Sequence, residues 1–167
     1  MWRTINEVRI PDIREFVRTT VAAGKRDVHI GTDSLQAGRA TRFVTVLVLL
    51  LPGKGGRVAY RRVVVPRIRS LRERLLREVY HSVALGLEIN DMLPEASELT
   101  LHVDANPVIK HRSSRYIHEL VGMVVGQGFK ALVKPESWAA THTADRIART
   151  VGSDGAVNAP AEGEEGY

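Results

Sequence analysis

The sequence predicts an α/β fold on a mixed five-stranded sheet, and three observations carry that prediction. Val- and Leu-rich Phe43–Leu51, the turn cluster Pro52–Gly56 and the β-like run Val58–Val65 read as a hairpin. After Pro66 the apolar period changes to about 3.6 residues, the mark of a helix. Beyond it, short β-like runs alternate with helical ones, a pattern met by parallel strands joined through right-handed crossovers. A three-strand antiparallel meander followed by two parallel strands, flanked by helices and preceded by an extra N-terminal helix, satisfies this order.

Taken in sequence, Pro11 followed by Ile13, Phe16, Val17 and Val21 gives a short amphipathic helix ending near Gly24. Val28 to Asp33 is the first strand of the meander, stopping at polar Asp33-Ser34; the hairpin supplies the next two. Leu71, Leu75, Val79, Gly86 and Ile89 share a stripe, so Ser70 to Met92 is a long helix. Leu99 to Asp104 alternates as a strand before Asn106-Pro107 breaks it. Tyr116 to Val125 is helical, Gly126-Gln127-Gly128 ends it, and Phe129 to Val133 is the last strand. Ser137 caps a final helix running to about Thr150. Residues 1–150 thus form one domain, and the acidic Gly/Ala-rich stretch 151–167 is expected to be a disordered tail.

Composition narrows the function classes. The 167 residues contain no cysteine, which excludes disulfides, thiolate zinc sites and cysteine nucleophiles. The longest apolar run, Val44 to Leu51, is too short to cross a bilayer, so a soluble, cytoplasmic protein with no membrane partner is expected. Asp154, Glu162, Glu164 and Glu165 lie after Thr150 with no cation among them, leaving 24 cations against 15 acids before it, a net charge of +9. A basic domain with an acidic appendage suggests a polyanionic partner.

The acids fall at informative places. Asp33 and Asp104 end the first and fourth strands, and ligand sites of open α/β sheets lie beyond the carboxyl ends of strands. If those strands are neighbours, the two carboxylates repel unless a cation lies between them. Hard oxygen donors without cysteine suit Mg²⁺ or Mn²⁺. On the long helix, with Leu71 at zero, Glu78 lies at about −20°, on the edge of the apolar stripe, whereas Glu73 and Glu88 point away. An inward carboxylate needs a partner, either such a site or one of the many arginines. Asp145, on the final helix, is placed by periodicity as a surface acid facing Arg149.

Ile-Gly-Thr-Asp-Ser (30–34), Arg-Ser-Leu-Arg-Glu-Arg-Leu-Leu-Arg-Glu-Val (69–79), His-Val-Asp-Ala-Asn-Pro (102–107), Lys-Pro-Glu-Ser-Trp-Ala-Ala (134–140) and Ala-Asp-Arg (144–146) carry a resemblance. Over residues 25–150 the chain resembles an uncharacterised bacterial ribonuclease H-like family related to the Bacillus YkuK protein. The resemblance implies the ribonuclease H-like fold and puts Asp33, Glu78, Asp104 and Asp145 in the acidic constellation of a two-metal nuclease. Two Mg²⁺ or Mn²⁺ ions would serve in-line hydrolysis of a phosphodiester in RNA, DNA or a hybrid. Asp33 would bridge both ions, with Asp104 and Glu78 on one and Asp145 on the other. Asp104 is followed by Ala-Asn-Pro instead of the glycine-rich turn of many nucleases, so substrate access is expected to differ there.

Other polar groups are read around that constellation. His29 and His102 share strand faces with Asp33 and Asp104 and are best read as hydrogen-bonded core or subsite histidines. His142 lies one helical turn before Asp145 and is a candidate for proton transfer. Ser34 has no base placed for it and is no nucleophile. Arg57 to Arg77 holds eight arginines against one acid, Glu73; from it Arg61, Arg62, Arg67, Arg69 and Arg72 are candidate nucleic-acid contacts. Lys110 and Arg112 join them after the Asp104 loop. The competing reading keeps the fold and the nucleic-acid binding but not catalysis.

Overall fold

Asp12 opens the first helix, α1 (Ile13–Val21), by accepting from the backbone N–H groups of Arg14 and Glu15 at 2.8 and 3.3 Å. Ser70 does the same for the long helix α2 (Leu71–Ile89), accepting from Glu73 N at 3.2 Å. Each helix is thus started by a side chain that satisfies an orphan donor. A third helix, α3 (Ile117–Val125), precedes the last strand. The protein is represented by a computed structural model that describes residues 1–22, 24–51, 55–95 and 97–139. The final helix expected beyond Ala139 and the acidic tail lie outside those residues.

The strands are β1 (Trp2–Thr4), β2 (Arg9–Ile10), β3 (Asp27–Ala37), β4 (Ala40–Leu50), β5 (Gly56–Pro66), β6 (Glu98–Val103) and β7 (Lys130–Val133). They form one sheet in the order β2-β1-β5-β4-β3-β6-β7. β3, β4 and β5 make the antiparallel meander, and β6 pairs parallel with both β3 and β7. The mixed sheet is therefore as expected, but it has seven strands rather than five. The two extra ones precede α1 and hold three and two residues, too few to express a period of two. Trp2 fixes them: it is 7% exposed, stands opposite Arg61 in the β1–β5 register, and lies under the Arg61 guanidinium at 5.1 Å.

A second correction bears on the site. β3 does not stop at Asp33 but runs four residues further, returning through a two-residue turn at Gly38-Arg39. Gly38 takes φ +55 there, the left-handed conformation that such tight hairpins need. The polar residues Ser34 and Gln36, with Arg42 opposite Leu35 on β4, hide this part of the hairpin from a hydrophobicity reading. Asp33 lies two residues past the end of pairing with β6, since the β3–β6 ladder closes at Gly31 opposite His102.

Most of the core lies on one face of the sheet, under the three helices. Val28, Ile30, Leu47, Leu49, Leu99 and Leu101 meet Phe16, Val17, Val79, Leu85, Ile89 and Leu120 there. α2 is also pinned by a buried hydroxyl chain: Thr32 donates to Thr45 at 3.1 Å and shares a 2.8 Å hydrogen bond with Ser82. The opposite face carries a smaller cluster of Val44, Val46, Val48 and Tyr60 against Trp138. Leu101, fully buried on the central parallel strand, is expected to cost about 2–5 kcal/mol when changed to Ala. Urea unfolding should show that loss as a lower midpoint with an unchanged slope.

Candidate acidic site

Two constant offsets in the parallel ladders build the site. β3 pairs with β6 at a fixed register, Asp27 opposite Glu98 through Gly31 opposite His102. Continued by two residues, it sets Asp33 abreast of Asp104. β6 pairs with β7 from Thr100 opposite Lys130 to Val103 opposite Val133. One residue on, Asp104 meets Lys134 as an ion pair of 2.6 Å, while the chain turns at Asp104, with Ala105 N–H donating to Val103 O at 2.9 Å and Lys134 N–H to Ala105 O at 3.2 Å. Asp33, Asp104 and Lys134 therefore form one row across three strands.

Glu78 joins them from α2. Past Val103 the strand β6 has ended, so the edge of β3 is open and a helix on one face can approach side chains of the other. Asp33, Glu78 and Asp104 line a single cavity of about 460 Å³ with Ser34, Arg74, Lys110, His111 and Arg112. Three of the four acids expected at the site are thus brought together. Asp145 and His142 lie outside the described residues.

The electrostatics are those of crowded carboxylates. Glu78 is only 5% exposed. Burial, then Asp33 and more weakly Asp104, push its pKa well above the ordinary range, while the Ser34 hydroxyl and Arg74 pull the other way. Ser34 Oγ donates to Glu78 Oε1 at 2.5 Å and accepts from Arg74 Nη1 at 3.2 Å. The arginine expected as a partner for Glu78 hence reaches it through a serine. Asp33 accepts from the Ser34 backbone N–H at 2.7 Å, and Lys134 Nζ sits 2.6 Å from Asp104 Oδ1.

Three carboxylates on one cavity offer the hard oxygen donors that Mg²⁺ or Mn²⁺ prefers. Among the described residues, no three His, Asp or Glu side chains are grouped closely enough to hold an ion as they stand. Asp104 is held by Lys134, and Glu78 by Ser34.

The two histidines behave as a core pair. His29 Nδ1 and His102 Nε2 lie 3.1 Å apart, and both rings pack on Trp138 with centroids 4.8 and 5.1 Å away. Burial, helped by its neighbour His29, lowers His102 to about 4, so this pair stays uncharged near neutrality.

The candidate basic contacts divide sharply. Lys110 and Arg112 are exposed and line the acidic cavity. Arg67 donates to Gly38 O at 2.7 Å, Arg72 is paired with Glu119, and Arg69 is exposed between β5 and α2. Arg61 covers Trp2, while Arg62 covers Tyr60 at 4.9 Å and reaches Glu7 at 3.7 Å. Arg61 and Arg62 thus dock the N-terminal strands on the far side of the meander. Sequence reasoning missed Lys134 and Arg74 as site residues and found no role for Ser34. The available signal was the parity of Lys134 with the last strand, legible only once its register against β6 is known.

The raised pKa of Glu78 has a stability consequence. Its folded-state pKa lies above the unfolded value of about 4.3, so the stability tied to its proton is present below that pH and lost as pH rises. Glu78→Gln keeps an acceptor for Ser34 and removes the ionisation. Thermal melts should find Glu78→Gln more stable than wild type at pH 7, with the gap closing as pH falls towards 4.

The sequence profile described as Ribonuclease H-like matches residues 9–149. The chain is 29% identical over 159 residues to the Uncharacterized protein YkuK of Bacillus subtilis (strain 168), covering 86% of this chain and 92% of that one. Among solved structures, RNase H1 from the halophilic archaeon Halobacterium salinarum NRC-1 is 16% identical with a TM-score of 0.33, over 68% of this chain and 87% of that one. The N-terminal RNase H domain of rv2228c from Mycobacterium tuberculosis, a fusion with maltose binding protein, is 13% identical at 0.33, over 73% and 93%. At that TM-score the structural likenesses carry no weight of their own, and membership rests on the sequence. On a match spanning residues 9–149, the chain belongs to the ribonuclease H-like family.

Proposed function

We propose that this protein is a divalent-metal-dependent nuclease that hydrolyses phosphodiester bonds of RNA, DNA or a hybrid. The observation that carries the reading is the convergence of Asp33, Glu78 and Asp104 on one cavity rimmed by Lys110, His111 and Arg112. Acids at the bottom and cations at the rim suit a substrate whose backbone is anionic and whose reaction centre needs a cation.

In this reading Asp33, Glu78 and Asp104 are the metal ligands, with Asp145, outside the described residues, completing the set. Two Mg²⁺ or Mn²⁺ ions there would supply an activated water and stabilise the leaving oxygen. The chain's own residues do the rest. Ser34 orients Glu78 through the hydrogen bond its hydroxyl donates, and it is as the ionised carboxylate that Glu78 would hold an ion. Lys110 and Arg112 bind the phosphates flanking the scissile bond, and Arg74 balances charge behind Ser34. His142, three residues before Asp145 in the sequence, is the candidate for assisting proton transfer as product leaves.

A second reading is a ribonuclease H-like nucleic-acid-binding module without catalysis. The Lys134 ion pair on Asp104 favours it, because an ammonium already neutralises one of the acids.

Incubating labelled RNA, DNA and hybrid substrates with Mn²⁺ separates the two. Cleavage is expected for wild type, abolished by EDTA and reduced on the order of 100-fold or more by Asp33→Asn. No cleavage of any substrate, or equal cleavage by Asp33→Asn, would exclude the nuclease and leave the binding module. Binding discriminates among the cations. Lys110→Ala and Arg112→Ala should weaken affinity for all sequences alike and each lower the salt slope by about 1. Arg61→Ala should leave that slope unchanged and lower the melting temperature instead.

A further inference from the structure

The row Asp33–Asp104–Lys134 contains an opposite charge that the proposed nuclease reading leaves without a role. Lys134 Nζ lies 2.6 Å from Asp104 Oδ1, and the two side chains are only 33% and 17% exposed. The pair is not an accident of a long surface side chain. Its backbone is fixed by the β6–β7 ladder, which ends at Val103 opposite Val133, and by the Lys134 N–H to Ala105 O hydrogen bond of 3.2 Å. The ammonium is a compact point charge on a flexible stem, so it can leave the carboxylate without moving the strand that delivers it.

We propose that Lys134 is a built-in competitor for the cation on Asp104, an ammonium that occupies this carboxylate until a divalent ion displaces it. This inference rests on the reading of Asp33, Glu78 and Asp104 as metal ligands. Two consequences follow from the geometry. In the absence of metal, Lys134 relieves the repulsion that Asp104 feels from the other acids on the cavity. Each loading event breaks the pair, and the intrinsic affinity of the acids for the ion is lowered by the strength of that pair. Lys134 is thus a positioning residue that sets the cation concentration at which the site fills.

Mn²⁺ titration by calorimetry, with the free ion followed in parallel by its paramagnetic resonance signal, tests this on the full chain without any substrate. Lys134→Met should tighten the Mn²⁺ dissociation constant about fivefold, the scale of a partly exposed ion pair, and Lys134→Gln should match it. Lys134→Arg keeps the competing charge and should give no gain. Lys110→Met removes a cation from the same cavity without touching the pair and should tighten binding less. Wild type and Lys134→Met binding Mn²⁺ equally would overturn this inference while leaving the metal site standing. A gain in Lys110→Met as large as in Lys134→Met would also overturn it, since the effect would then be one of general charge. Binding of Mn²⁺ by none of these proteins overturns both the inference and the metal-site reading beneath it.

Discussion

The register of the parallel strands is the constraint on which the site depends. Gly31 opposite His102 and Val103 opposite Val133 are ordinary ladder pairs. Their continuation past the strand ends sets two carboxylates and an ammonium in one row. A slip of one residue in either ladder would turn side chains to the other face of the sheet, parting Asp33 from Asp104 or Asp104 from Lys134. That register is secured by burial elsewhere: Ile30 and Leu101 are fully buried and directly opposite each other under α2. The apolar core thereby determines where the charges fall.

Bringing the acids together leaves the fold with like charges at close quarters, and the neighbours are arranged against that repulsion. Lys134 answers Asp104, the Ser34 N–H answers Asp33, and Ser34 with Arg74 behind it answers Glu78. Glu78 is still pushed towards its protonated form, because burial outweighs what the serine and arginine return. A sequence selected for stability alone would place an apolar residue at position 78, between Leu75 and Ser82 on the buried stripe of α2. A buried carboxylate facing two other acids is the one place on α2 where burial and charge conflict.

The sequence made the sheet class, the long helix and three of the acids legible, for identifiable reasons. Glu78 stands out because 3.6-residue periodicity is strong over nineteen helical residues. Asp104 stands out because Asn106-Pro107 ends its strand. The same approach misplaces the end of β3, whose last residues alternate polar Ser34 and Gln36 with Leu35 and Ala37 and pair with β4 alone. It also overlooks β1 and β2, whose place comes from a tryptophan under an arginine and not from any local period. Lys134 sits in a motif visible in the sequence, yet its significance is a tertiary fact about which residue of β6 faces which residue of β7.

The arginines show how far composition can mislead even when its total is right. A net +9 before Thr150 points to a polyanion, and the dense tract from Arg57 to Arg77 looks like its docking face. The tract is in large part structural. Arg57 covers Phe16 at 4.4 Å, Arg61 covers Trp2, Arg62 bridges Tyr60 and Glu7, and Arg77 pairs with Glu73. Guanidinium groups are suited to this work, since they stack on rings and remain weakly hydrated when half-buried. What remains beside the acids is a smaller set, Lys110 and Arg112 on the loop after Asp104 with Arg74 inside the cavity. A cation counts towards phosphate binding only when its other contacts leave it there, and by that criterion the loop beyond β6, not the arginine-rich strand, is the basic face of the site.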